Sequence, residues 1–127
     1  ALGKALTGAW YEIMSVMSGE DKAAADEAKT YMAKASGTDL AGYNDQLAAT
    51  KMFFSAAEAV NFTKSEDLKS TMQKVAGFSF DHGLLGEGAP DASFIGVETP
   101  SGVYGNPSNI KLRFTAEYMQ MAADGKL

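Results

Sequence analysis

The chain has no cysteine, which excludes both a disulfide framework and a thiolate metal site. It has one histidine and one tryptophan. A single imidazole among scattered carboxylates is too thin a donor set for zinc, so neither metal nor cofactor is expected. Basic side chains are the minority, 11 against 16 acidic ones for a net charge of −5, and they form no cluster. A nucleic-acid partner is therefore not expected. No apolar run approaches the roughly 20 residues that span a bilayer, and no signal-peptide pattern is visible. The opening, Ala1-Leu2-Gly3-Lys4, already falls inside a helical pattern with no start signal before it. The expectation is a piece of something longer.

What is present is a pattern of helices. The 127 residues are about one domain, with 46% hydrophobic content that suits a modest packed core. Leu2, Leu6, Trp10, Ile13, Met14 and Met17 recur at helical spacing and predict an amphipathic helix ending near Ser18-Gly19. Gly3 and Gly8 each cost it about 1 kcal/mol relative to Ala, which points to close packing against a neighbour. Trp10 reads first as core on this stripe and second as a platform for a planar ligand. Ser18 and Asp21 read as a capping box for a second helix running to Ala35, with Gly37 as its stop. Thr38 or Asp39 caps a short third helix.

Thr50 to Phe54 reads as an extended connector. Ser55 and Glu58 open a fourth helix to about Phe62. Ser65 caps a fifth, with Leu68, Met72, Val75 and Phe78 as its buried stripe. Beyond Pro90 the pattern changes: Phe94-Ile95-Gly96-Val97 and the alternating run Ile110 to Phe114 predict a strand pair. Thr115 caps a last helix ended by Gly125. The fold class is therefore mainly α with a small β-hairpin, helical over about 1–88 and closed by the β element and last helix over about 93–125. Two strands cannot stand alone; they require a sheet, a partner chain or helices to pack on.

The chemistry concentrates at Phe80-Asp81-His82-Gly83-Leu84-Leu85-Gly86. Asp81 and His82 are adjacent, so on a helix their side chains diverge by about 100° and do not serve one another. No serine occupies a nucleophile elbow. The glycine run 83–88 lacks the preceding strand and following helix of a dinucleotide site. No catalytic constellation is present, and the chain is not expected to be an enzyme. His82 reads as a helix-end residue bonded to backbone, or as a ligand contact. The seven methionines fall mostly on apolar helix stripes, as adaptable filler rather than a copper set.

Four stretches occur in one order: Gly3-Lys4-Ala5-Leu6-Thr7-Gly8-Ala9-Trp10-Tyr11-Glu12, Ala35-Ser36-Gly37-Thr38-Asp39-Leu40-Ala41-Gly42-Tyr43, Phe80 to Gly86, and Tyr118-Met119-Gln120 with Gly125-Lys126-Leu127. Together they resemble the C-terminal portion of solute-binding proteins of nitrate/taurine-type ABC importers, closest to the urea-type branch. The resemblance covers essentially the whole chain. It implies a fragment of a two-lobed α/β periplasmic binding protein, type II-like, in the periplasm or on the outer face of the membrane as a lipoprotein. Such a protein clasps a small polar solute (urea-like, nitrate- or sulfonate-type) and delivers it to an ABC permease. It also implies a missing N-terminal part as partner, and a place near the cleft or hinge for Trp10, Asp81 and His82. The alternative is an autonomous helical interaction module that oligomerises. The isolated fragment is expected to expose an apolar face and to self-associate.

Overall fold

Six helices and three short strands make up the protein in a computed structural model describing residues 1–127. In order they are α1 (Leu2–Ser18), α2 (Lys22–Ala35), α3 (Leu40–Ala48), α4 (Ala56–Lys64), α5 (Glu66–Asp81), β1 (Gly96–Thr99), β2 (Gly102–Gly105), β3 (Ile110–Arg113) and α6 (Glu117–Ala123). The chain divides into two compact units, one of residues 1–59 with 118–127 and one of residues 60–117. The protein is thus mainly helical with a small sheet. No helix is long and apolar enough to cross a membrane.

The first unit is built on α1, α2 and α3. Met14 and Met17 of α1 and Ala25 and Ala33 of α2 are its buried residues, with Ala59. The alanines let α2 approach closely, and the methionines fill the irregular space that remains. Gly3 does what its cost implied: the Tyr118 ring lies where a Cβ would stand, 2.7 Å from its Cε2. Helix starts differ in detail from the pattern. Asp21, rather than a Ser18–Asp21 box, caps α2, accepting from the amides of Ala23 and Ala24 at 3.0 and 3.1 Å. Ser18 instead donates back to Met14 O within α1. Asp39 caps α3 through the Gly42 amide at 2.8 Å. A carboxylate one residue before the helix is the better acceptor for dipole-end amides. Residues 51–54 are irregular, as expected of a connector.

The second unit packs α5 on β1 and β2. Leu68 and Ala76 are buried, whereas Val75 and Phe78 are exposed, Phe78 at 59%. The buried stripe is rotated toward Ala76, whose small side chain allows a helix to sit close on a sheet. Ser65 occupies the cap position of α5 but its hydroxyl donates to Phe62 O of α4, which runs to Lys64 rather than to about Phe62.

The β element needs correction. It holds three strands in the order β2-β1-β3, not a pair. β1 and β2 form an antiparallel hairpin through the turn at Pro100-Ser101, while β3 joins β1 in parallel on the other side. β2 escaped the pattern because only Val103 and Tyr104 stand between its two glycines, too short a run to show alternation. The loop Asn106–Asn109 carries the chain round the start of β1. Asn106 N–H donates to Ile95 O, Gly96 N–H donates to Asn109 O at 2.8 Å, and the Asn109 side-chain amide donates to Phe94 O at 2.9 Å. A Cβ at Gly96 would strike the Asn106 carbonyl, and one at Gly105 the Ile95 carbonyl. The passage admits only bare backbone.

Candidate functional site

The histidine stretch lies at the C-terminal end of α5. Asp81 is the last helical residue and His82 the cap, both exposed. The chain leaves the helix through Gly83 at φ +70°, with Gly83 N–H bonded to Phe80 O at 2.9 Å and Leu84 N–H to Ser79 O at 2.8 Å. This paired closure satisfies the last helix carbonyls and needs a left-handed residue at that point. The His82 ring stacks on Phe78, centroids 4.0 Å apart at 24°. Its Nδ1 lies 2.9 Å from Phe78 O. A carbonyl only accepts, so Nδ1 carries the hydrogen, and in the neutral ring Nε2 is left as an outward acceptor. The Asp81 carboxylate makes no hydrogen bond or ion pair. No three His, Asp or Glu residues gather to hold a metal ion.

Trp10 lies in the other unit, on α1. It is 53% exposed, so it is not the core residue its stripe suggested. Sequence reasoning placed the stripe correctly and its burial wrongly. The C-terminal end of the stripe is buried at Met14 and Met17, while Leu2 is 81% and Leu6 68% exposed.

Along α1 run three apolar hollows that share lining residues. One of about 470 Å³ is lined by Leu6, Thr7, Trp10, Tyr11 and Met119. Trp10 and Leu6 also wall a second of about 320 Å³, reaching Met32, Tyr43 and Met52. Ile13 and Met32 connect that to a third of about 580 Å³ between α1 and α2, edged by Val16, Glu27 and Tyr31. Glu27 is the only charged side chain in the three linings. Partial burial beside them pushes the Tyr11 phenol above its ordinary pKa. Such a surface offers van der Waals contact and desolvation, with few polar groups to orient a small polar solute. It suits a packed protein segment.

The two groups of candidate residues therefore differ in kind: Trp10 belongs to an exposed apolar face, Asp81 and His82 to a polar helix end. No family model, characterised protein or solved structure matches the chain.

Proposed function

We propose that the chain is the C-terminal portion of a solute-binding protein of a nitrate/taurine-type ABC importer, of the urea-type branch, acting without catalysis. The parent captures a small polar solute outside the cytoplasmic membrane and hands it to a permease. The observation that carries the reading is the bare half of the α1 stripe, Leu2, Leu6 and Trp10. A helix that buries one end of a continuous apolar stripe and exposes the other has a covering element to find. In a two-lobed parent, the preceding part of the chain supplies it. The four ordered stretches that resemble this family lie on α1, at the α2–α3 junction, at the end of α5 and the loop after it, and on α6 with the residues that follow it.

In this reading Asp81 and the outward Nε2 of His82 are polar groups near the cleft or hinge, and Trp10 packs against the rest of the parent. Ligand capture then follows from polar groups converging on one solute, with lobe closure adding contacts that the open form does not make.

The test is intact-mass measurement of the native gene product, followed by calorimetric titration of that product with urea, nitrate and a small sulfonate. A longer exported chain that binds one of these solutes is the expected result. A native product beginning at Ala1 that binds none would remove the transport reading. The same bare stripe would then favour the helical interaction module, with self-association as its signature.

A further inference from the structure

We infer that the groove between α1 and α2 is a docking site for an amphipathic helix of a partner protein, one whose apolar ridge is flanked by lysine or arginine. The groove is the hollow of about 580 Å³ walled by Ile13 and Val16 on α1 and by Ala24, Glu27, Ala28 and Tyr31 on α2. On α2 these residues follow the i, i+3, i+4, i+7 spacing of one helix face, so the hollow runs beside that helix for two turns, about 10 Å. Ala24 and Ala28 leave its floor open, while Ile13, Val16 and Tyr31 stand exposed along it, Tyr31 at 78%. Both walls are helices, whose main-chain groups are bonded internally. An extended segment laid between them would bury amides and carbonyls without partners. A helix arrives with its own bonds made and seats a ridge of side chains in such a groove.

Charge decides which helix the groove accepts. Glu27 is the one charged residue of the lining. On the opposite wall Glu12 lies four residues before Val16, on the same side of α1. Both glutamates are exposed, and neither carboxylate has an ion-pair or hydrogen-bond partner. Each wall thus carries one free carboxylate beside an apolar seat. The cations of α2 do not answer them: Lys29 pairs with Asp26 at 3.9 Å, and Lys22 and Lys34 fall outside the lining at its two ends. A chain of net charge −5 also draws a cationic partner toward it. A second copy fits less well. Its bare stripe of Leu2, Leu6 and Trp10 lies on a helix with a single cation, Lys4, and brings a second Glu12 with it. The groove belongs to the C-terminal half of α1, apart from that bare stripe, and the inference does not rest on the transport reading.

The experiment uses the full-length protein and two synthetic helical peptides with the same leucine ridge, one flanked by lysines and one by glutamates. Amide NMR shifts at Val16, Ala24 and Ala28 are followed as each peptide is added. The lysine peptide is expected to move all three and the glutamate peptide is not. Glu27→Gln, at an exposed position that leaves the fold intact, is expected to weaken the lysine peptide about two- to fivefold. Ala28→Leu fills the floor of the groove and is expected to weaken it about tenfold or more. Raising salt until the Debye length falls from about 10 Å to about 3 Å weakens it further. Four results would each overturn the inference: no shift with either peptide, equal binding of both, shifts at Leu2 and Leu6 in place of the groove, or groove shifts that grow with protein concentration before any peptide is added. The last would identify a second copy as the occupant. Solute binding measured on the same protein is independent of all four.

Discussion

The imidazole of His82 lies parallel to the ring of Phe78, one helical turn before it, and bonds through Nδ1 to the same residue's carbonyl. Phe78 thereby fixes both the plane and the tautomer of the chain's one histidine. His82→Ala should cost about 0.5–1.5 kcal/mol, read as a lower thermal midpoint and faster exchange at the Gly83 and Leu84 amides. Nitrogen NMR should find Nδ1 protonated in the neutral ring. Phe78→Ala removes the ring stack but keeps the carbonyl, so it should free the plane of the imidazole while retaining the hydrogen on Nδ1 and leaving α5 helical. An Nε2-protonated ring in the unaltered protein would contradict the geometry.

Gly37 and Gly105 share the same φ of +76°, yet only one is hemmed in. A Cβ at Gly37 meets nothing within 4 Å, whereas at Gly105 it runs into the Ile95 carbonyl. Gly37→Ala should therefore cost only the left-handed penalty, about 1–2 kcal/mol. Gly105→Ala adds overlap with rigid backbone and should cost about 2–4 kcal/mol. Denaturant unfolding of the two variants side by side measures the difference. Equal losses would mean that the loop round β1 yields.

Asp91 holds the turn before β1, its Oδ1 accepting from the Ser93 hydroxyl and the Ser93 amide at 2.7 Å each. The hydroxyl bond first, and the amide bond with it, keep this carboxyl below its ordinary pKa. A carboxyl depressed in the folded state stabilises it above the unfolded value and ceases to do so as pH falls through the folded one. The turn at 91–94 should therefore loosen only on the acid side of the common carboxylate range. Carbon NMR should find Asp91 titrating at a lower pH in the unaltered protein than in Ser93→Ala. Coincident titrations would remove these bonds as the cause.

Much of this fold is legible in the residues because its signals are local. Asp39, Gly37 and Gly125 mark helix ends by their own conformational and hydrogen-bonding chemistry. Gly3 announced the close approach of another group before Tyr118 was seen there. What stayed hidden depends on pairing between distant residues. The register irregularity of β1 and β3 sets Leu112 against Val97 and Arg113 against Glu98; no periodicity in Ile110 to Phe114 encodes it. Trp10 shows the same limit. Periodicity names the apolar side of α1 but not how far along that side a neighbour reaches. At the polar end, adjacency correctly separated Asp81 from His82, while the stacking of His82 on Phe78 needed the helix to be built.

Leu6 and Leu84 are exposed almost equally, at 68% and 69%. They differ in surroundings: Leu6 walls two of the apolar hollows of α1, and Leu84 follows the glycine exit of α5, outside all three. Exposure alone predicts that replacing either by Ala changes stability by less than about 0.5 kcal/mol. A parent chain that covers the α1 stripe predicts otherwise. In the full-length protein Leu6→Ala should then cost about 2–4 kcal/mol, the range for a buried leucine, while Leu84→Ala stays near neutral. Trp10→Ala should follow Leu6→Ala, its loss read from denaturant midpoints, since the only indole is gone. Two near-neutral leucine variants would leave the stripe bare in the whole protein, and a bare stripe of that length belongs to a surface that meets other molecules.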